Sequence, residues 1–192
     1  MKPYALMVVD MIKDNVIIER DSKFDRQAGR IIPNINKLSA HFRQISSPVI
    51  FACDSFLPND FMFRGRMKPH AIRGTGGDQP IDELNPSPSD HVLLKRRMSA
   101  FYKTDLDQSL RLWGIETVVV TGIVTNVCVL LTALDAIQND FRSVIVSDAS
   151  TSYDDSVHEM TLKIYDKFVL DPLFRIMTTD AIISETAGHL NK

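Results

Sequence analysis

Short runs of apolar residues recur along the chain, separated by segments with helical spacing or by polar loops. Six runs have the length and the β-branched content of buried strands: Tyr4–Asp10, Pro48–Cys53, His91–Lys95, Thr117–Gly122, Ser143–Asp148 and Phe174–Thr179. Runs that are apolar at nearly every position are typical of strands covered on both faces. The pattern therefore predicts a central sheet packed between two further layers.

Helices are predicted between most of these strands. Apolar residues three and four apart mark a helix over Ile31–Ile45, and Thr104–Gly114 has an N-cap threonine, acidic residues in its first turn and a terminal glycine. Further helices are predicted from Asn126, across Asp154–Lys167 and from Asp180. The alternation predicts one α/β domain over residues 1–192, a three-layer α/β/α structure with a six-stranded, mostly parallel sheet.

Residues 56–90 interrupt this alternation. They contain five of the nine prolines and four of the eight glycines, so neither a long strand nor a long helix is expected. We expect a long loop region that lies over the sheet and contributes to substrate or metal binding, rather than a second domain.

Composition narrows the classes of function. The 192 residues are 44% hydrophobic and carry a formal charge of −2 without a cluster of Lys or Arg, which argues against nucleic acids and membrane surfaces as partners. No run approaches the roughly 18 apolar residues of a membrane span. Asp10 cuts the amino-terminal apolar run short, and no cleavage site of a signal peptide follows. With two cysteines, a cytoplasmic protein with reduced thiols is expected.

Three chemically complementary side chains follow separate predicted strands. Asp10 ends the first strand, Lys95 ends the third, and Cys128 lies in the first turn of the helix after the fourth. In an open parallel sheet, ligands bind beyond the carboxyl ends of the strands, where these groups should meet. A helix amino terminus and a nearby Lys should lower the pKa of the Cys128 thiol, and free N–H groups there could stabilise an oxyanion.

This arrangement predicts an acyl-transfer nucleophile at Cys128. The alternative is a buried helix residue packed beside Val127 and Leu130. Cys53, at the end of an apolar strand, is interpreted as a core residue. Asp148, after the fifth strand, is either a cap or a neighbour of the site.

Three segments carry a resemblance to a known family: VVDMIKD (Val8–Asp14), LLKRRMSAFYKTDLD (Leu93–Asp107) and GIVTNVCVLLTALDA (Gly122–Ala136). They resemble the isochorismatase-like cysteine hydrolases, which include nicotinamidases, N-carbamoylsarcosine amidases and ureidoacrylate amidases. The resemblance extends over roughly Ala5–Ser150. It implies the catalytic set Asp10, Lys95 and Cys128.

The resemblance also implies details of the pocket. A non-prolyl cis peptide between Ile123 and Val124 would direct the Val124 N–H, together with that of Cys128, at the substrate oxygen. Two aromatic residues and an amide complete the expected substrate pocket: Phe56, Phe101 and Asn126. The competing interpretations are a core position for Phe101 and, for Asn126, the N-cap of the Cys128 helix or a position close to it.

The metal site of the nicotinamidase relatives is incomplete here. Those enzymes carry D-x-H after the second strand and a later His, whereas this chain has Asp54-Ser55-Phe56 followed by Asp60 and His70. Phenylalanine has no lone pair, and the remaining candidates, Asp54, His70 and Asp60, are weaker than the usual three-ligand zinc site. We therefore expect no required cofactor, with a divalent metal such as zinc as the alternative.

The resemblance implies a cysteine amidohydrolase that cleaves a C–N bond of a small carbamoyl or amide substrate and releases ammonia. N-carbamoylsarcosine amidase-like chemistry needs no pyridine-binding metal and is favoured, with nicotinamidase as the alternative. An isochorismatase-type hydrolase and a non-catalytic binding subunit rank below both. The expected partners are a small amide or ureido substrate and further copies of the chain, as a dimer or tetramer.

Overall fold

A computed structural model describes residues 4–167 and 169–187. The strands are β1 (Tyr4–Val9), β2 (Val49–Asp54), β3 (His91–Lys95), β4 (Thr117–Ile123), β5 (Arg142–Thr151) and β6 (Phe174–Met177). The α-helices are α1 (Lys23–Gln44), α2 (Leu106–Leu112), α3 (Leu130–Gln138), α4 (Asp155–Tyr165) and α5 (Thr179–Ala187). Within the described residues, no helix is long and apolar enough to cross a membrane. The predicted domain limits, residues 1 and 192, lie outside them.

All six predicted strands are present, and they form one sheet in the order β3-β2-β1-β4-β5-β6 with every pair parallel. This confirms the predicted α/β fold. The chain leaves β1 toward β2 on one side and returns to β4 on the other. The crevice at such a switch point, beyond the carboxyl ends of β1 and β4, is where open α/β sheets bind ligands.

Apolar side chains alternate between the two faces of the sheet and form two cores. One core combines strand residues with α1 and α5: Leu6, Val8, Phe51, Val119, Ile35, Phe42 and Ile182. The other combines strand residues with α2 and α3: Met7, Val9, Ile50, Val120, Leu110 and Ala133. Each large apolar side chain buried here contributes about 1.5–3 kcal/mol to folding, and together they hold the strand ends in register.

Helix α1 begins at Lys23 rather than at the predicted Ile31. The oxygen of the N-cap Ser22 accepts a hydrogen bond from the Asp25 N–H, and Arg20 pairs with the Asp25 carboxylate at 2.6 Å. The first turns of this helix are polar, so apolar spacing could not reveal them. Capping and charge pairing stabilise them instead.

The helix after β4 also begins differently from the prediction. Residues Thr125–Val129 form a π-helical turn that leads into α3, and Val124 is the residue that precedes this turn. Asn126 is therefore the second residue of the turn, close to the N-cap rather than at it. Thr125 Oγ1 hydrogen-bonds to His158 Nδ1 at 2.8 Å, which connects the turn to α4.

Candidate active site

A cavity of about 500 Å³ opens beyond the carboxyl ends of β1, β2 and β4. Its floor contains Asp10, Asp54 and Cys128, and its walls come from the segment between β2 and β3, from Arg97 and Met98 after β3, and from Tyr153 before α4. The position agrees with the crevice expected for this strand order. The described part of the chain thus provides an open cavity with ionisable groups at its base.

Lys95 organises the floor of this cavity. Its fully buried Nζ donates hydrogen bonds to Asp10 Oδ2 at 2.8 Å, to Asp54 Oδ1 at 2.6 Å and to the Arg97 carbonyl at 3.2 Å. Asp54 pairs with Lys95 in the β2–β3 register, and the Asp54 N–H donates to Asp10 Oδ1 at 2.9 Å. Strand pairing therefore places two carboxylates around one ammonium group.

These contacts set the protonation of the charged groups. Burial alone would lower the pKa of Lys95, but the charges of Asp10, Cys128 and Asp54 raise it above its ordinary value, so the ammonium form persists. Burial, together with the charge of Asp10, raises the pKa of Asp54 to about 6, despite the opposing effect of Lys95.

Cys128 lies beside both carboxylates. Its Sγ, one oxygen of Asp10 and one oxygen of Asp54 lie within 4.8 Å of one another. Burial and the charge of Asp10 raise the pKa of the thiol well above its ordinary value, and the thiol hydrogen-bonds to Asp10. The expected lowering of this pKa is therefore corrected. A thiolate here would face two carboxylates and one ammonium, which outweighs the nearby helix terminus.

The turn that carries Cys128 depends on close backbone packing. Gly122 has φ = 103°, and a Cβ at this position would lie 2.2 Å from the Val9 carbonyl oxygen. The Ile123–Val124 peptide is cis, as the resemblance implied. The Val124 carbonyl accepts hydrogen bonds from the N–H groups of Val127 at 3.0 Å and of Val129 at 3.3 Å. Val124 and Cys128 both line the cavity.

Of the three residues expected in the substrate pocket, one lines the cavity and two lie elsewhere. Phe56 is buried and lines the cavity, in edge contact with Phe63. Phe101 lies in the core on the opposite face of the sheet, 6.0 Å from the Phe141 ring, so the alternative core interpretation holds. Asn126 is exposed and accepts a hydrogen bond from Ser152, outside the cavity. Asn126 does not line the cavity in this structure, and its role in the substrate pocket stays a prediction.

The expected metal ligands do not form a ligand set that fits an ion. The Asp60 side chain is fully buried and accepts hydrogen bonds from Arg96 Nη2 at 2.7 Å and Arg97 Nη1 at 3.2 Å. Asp54 is bound to Lys95, and His70 Nδ1 bonds the Lys68 carbonyl at 2.9 Å. Cationic partners thus hold both carboxylates, and Asp54 and His70 alone are fewer than the three ligands of an open zinc site.

Sequence reasoning missed several residues of the cavity wall. Arg97 and Lys68 bring positive charge to it, and Tyr153 closes one side, with its ring 4.6 Å from that of Phe24. Arg97 shares the Asp60 carboxylate with Arg96, and Asp14 and Arg20 also line the wall. The position of Arg97, two residues beyond Lys95, was a usable signal. Tyr153 had none, because it reaches the cavity only through the packing of α4.

The structure gives Asp148 a structural role. Its Oδ1 accepts hydrogen bonds from the Thr179 N–H at 2.8 Å and from Thr179 Oγ1 at 2.9 Å, at the start of α5. It does not line the cavity. Of the two interpretations of Asp148, the cap is therefore the one that the structure supports.

Comparison with known proteins gives consistent matches. A family model described as the isochorismatase domain matches residues 4–179. The chain is 30% identical to an uncharacterised isochorismatase family protein of Bacillus subtilis (strain 168), over 94% of this chain and 93% of that protein. It is 33% identical to a ureidoacrylate amidohydrolase of Pseudomonas syringae pv. syringae (strain B728a), over 78% of this chain and 72% of that protein.

Solved structures agree with these matches. An isochorismatase-like hydrolase from Alkaliphilus metalliredigens has a TM-score of 0.81 at 34% identity, covering 95% of this chain and 98% of that one. For an N-carbamoylsarcosine amidase from Thermoplasma acidophilum the TM-score is 0.79 at 31% identity, with 94% and 98% covered. A pyrazinamidase/nicotinamidase from Streptococcus mutans UA159 gives 0.78 at 27% identity, with 91% and 99% covered.

Proposed function

The chain belongs to the isochorismatase family of hydrolases, as its motifs predicted, and on that premise we propose that it is a cysteine amidohydrolase. It cleaves a C–N bond of a small carbamoyl or amide substrate and releases ammonia. The observation that carries this proposal is the buried contact between Lys95 and Asp10 beside the Cys128 thiol, at the base of the cavity. A non-catalytic binding subunit would have no use for such a set.

In the first half of the reaction, Cys128 Sγ attacks the substrate carbonyl carbon while Asp10 accepts the thiol proton. Because burial keeps the thiol protonated, attack and proton transfer occur together rather than from a standing thiolate. The carbonyl electrons move to oxygen, where the N–H groups of Val124 and Cys128 stabilise the negative charge. Lys95 holds Asp10 in position and balances its charge throughout.

In the second half, the tetrahedral intermediate collapses to a thioester. The C–N bond breaks, Asp10 returns its proton to the departing nitrogen, and ammonia leaves. Water then attacks the thioester carbon, Asp10 accepts a proton from that water, and the C–S bond breaks. The proton passes to the sulfur, which regenerates the Cys128 thiol and releases the acid product. No step requires a metal ion.

N-carbamoylsarcosine amidase-like chemistry is the preferred activity. The likeness to an amidase of that name supports it, as does the positive charge that Arg97 and Lys68 place on the cavity wall, which suits a substrate carboxylate. The second candidate is nicotinamidase, favoured by the Streptococcus mutans neighbour and by the position of His70 on the wall near Asp54. Phe56 and the arginine-bound Asp60 count against it.

We also propose that the protein is cytoplasmic and forms homo-oligomers. Both cysteines are free, which suits a reducing compartment. Several large apolar side chains are exposed at the surface, which suits a subunit interface.

Ammonia release from a substrate panel tests the proposed function. We expect turnover of N-carbamoylsarcosine or a related ureido acid, poor turnover of nicotinamide, and no loss of activity after exhaustive chelation. The control is Cys128→Ala, which should release no ammonia. Chelator-sensitive hydrolysis of nicotinamide would place nicotinamidase first, and activity equal to wild type in the control would overturn the cysteine mechanism.

A further inference from the structure

A second cavity, of about 270 Å³, lies beside the edge strand β3 and shares one residue, Arg97, with the active cavity. Four of the six residues that line it are cationic: Arg73, Leu94, Arg96, Arg97, Tyr102 and Lys103. Among the described residues, no carboxylate lines it. We call it the basic cavity. The fold gathers its charges from two segments, one before β3 and one after it.

A buried carboxylate holds two of these cations in place. Arg96 donates hydrogen bonds to Asp60 Oδ2 from Nε at 2.9 Å and from Nη2 at 2.7 Å, and Arg97 Nη1 donates to Asp60 Oδ1 at 3.2 Å. Each guanidinium has five N–H donors, so one shared carboxylate leaves donors of both for a ligand. The two guanidinium groups are therefore positioned in advance, and Asp60 balances the charge of only one of them.

The other two cations have no direct acidic partner. In the part of the chain that the structure describes, neither Arg73 nor Lys103 lies within ion-pair distance of a carboxylate. Arg73 Nε donates to Ser55 Oγ at 3.1 Å, and that hydroxyl donates to the buried Asp78 at 2.8 Å. Lys103 Nζ lies 5.5 Å from the centre of the Tyr102 ring. A hydroxyl thus separates Arg73 from its acidic neighbour, and Lys103 contacts only an aromatic ring.

These features point to a small anion with several oxygens. The four cations outnumber the two carboxylates that contact them, directly or through Ser55. Planar guanidinium groups bind the oxygens of phosphate in pairs, and a lysine adds a point charge. The cavity is smaller than the roughly 300–1,000 Å³ of sites for drug-sized ligands, so the ligand is expected to be small.

We propose that the basic cavity binds a small phosphate-bearing anion and that this anion weakens the binding of an anionic substrate in the active cavity. Arg97 lines both cavities. Its guanidinium cannot direct the same donors at two ligands, so each ligand lowers the affinity for the other by the same factor. The effect on substrate rests on the proposed function, in which Arg97 faces a substrate carboxylate. The anion site itself does not.

Isothermal titration calorimetry of the full chain at low ionic strength tests the site, with pyrophosphate, inorganic phosphate and glycerol 3-phosphate as separate probes. A preference for the first two indicates a free anion, and a preference for the third indicates a phosphorylated metabolite. Arg73→Gln and Lys103→Gln should each raise Kd by about 10-fold or more, since each removes a charge-assisted hydrogen bond. Lys163→Gln, at an exposed position of α4, is the matched control and should bind like wild type.

A further control separates the two cavities. Lys68 lines the active cavity but not the basic cavity, so Lys68→Gln should retain anion binding. Loss of binding in Lys68→Gln, with binding kept in Arg73→Gln and Lys103→Gln, would place the anion in the active cavity and overturn the proposal. Absence of binding for all three probes, or one Kd shared by wild type, Arg73→Gln and Lys103→Gln, would also overturn it.

Steady-state kinetics test the link between the cavities. A saturating concentration of the tightest-binding probe should raise KM for a carboxylate-bearing substrate by about 5-fold or more, with kcat unchanged. Lys103→Gln should have the wild-type KM without the anion, because Lys103 does not line the active cavity, and should need about 10-fold more anion for the same effect. An unchanged KM while the anion is bound would overturn the link through Arg97. The calorimetry decides the anion site even if no ureido acid is hydrolysed.

Discussion

Two regions line the same cavity but differ in how their backbone is held in place. The turn after β4, residues 122–129, is held by buried backbone contacts, with Gly122 against Val9 and Thr125 bonded to His158. The segment between β2 and β3, residues 55–90, is largely exposed and forms short 3₁₀ turns and isolated bridges. The first region is fixed by the sheet, whereas the second reaches the cavity mainly through side chains.

The difference suggests that one region holds the reacting groups and the other selects the substrate. Reacting atoms must be held to a fraction of an ångström, which strand ends and a packed turn can do. Substrate selection needs only suitable charge and shape, which a surface segment supplies through residues such as Phe56 and Lys68. Changes in the turn and at the strand ends should therefore affect kcat, and changes at the outer wall should affect KM.

The largest expected effect comes from the nucleophile. Cys128→Ala should lower kcat by at least about 10⁴-fold with little change in the melting temperature, because it removes one sulfur atom from a cavity wall. Cys53→Ala is the matched control, since Cys53 is a buried core residue of β2 and the variant should retain turnover. Ammonia assays with purified variants measure both. Retained turnover in Cys128→Ala would assign the chemistry to another group.

The next effect concerns the charged partners of the thiol. Asp10→Asn and Lys95→Met should each lower kcat by about 10²- to 10⁴-fold, the usual contribution of a positioned proton-transfer group. The double variant should lose little more than the worse single variant, because the two side chains act as one unit. Additive losses, measured by steady-state kinetics, would indicate independent roles.

A smaller effect is expected from the cavity wall. Arg97→Gln should raise KM for a carboxylate-bearing substrate by about 10- to 100-fold with kcat nearly unchanged, since a charge-assisted hydrogen bond is lost. Arg96→Gln is the control, because Arg96 shares Asp60 but does not line the cavity. An equal KM change in both variants would mean that the loss comes from Asp60 and its loop.

The protonation of Cys128 can be read from its alkylation rate. In a Cys53→Ala background, the rate with iodoacetamide should rise with pH to a midpoint above the ordinary thiol pKa of about 9. Asp54→Asn should move this midpoint down by about one unit, because one of two nearby negative charges is removed. A midpoint below 8 in the parent protein would restore the expectation of a stable thiolate.

The smallest effect is on stability. The pKa of Asp54 is raised to about 6, above its ordinary 3.8. Its contribution to stability is therefore complete below about pH 3.8 and is lost as the pH rises through about 6. The Asn side chain of Asp54→Asn resembles a protonated Asp54 and does not titrate. Between about pH 3.8 and pH 6, the melting temperature of this variant should therefore decline less than that of wild type. Parallel melting curves would contradict the assignment.

Much of the fold and part of the site could be predicted from local patterns. The six apolar runs predicted every strand, because a strand buried on both faces must be apolar at nearly every position. The strand ends then placed Asp10, Lys95 and Cys128 at one edge of the sheet. Helix α1 was predicted too short, because its first turns are stabilised by Ser22 and by the pairing of Arg20 with Asp25.

Periodicity within single segments was enough to predict the parallel sheet and the side chains that meet at its carboxyl edge. The contacts of Cys128 with two carboxylates and the binding of Asp60 by two arginines follow only from the tertiary structure. Each of these depends on the distance between groups far apart in the chain. The charge and burial at a site depend on all the groups around it, and these groups come from distant parts of the chain. A local sequence pattern therefore cannot predict them.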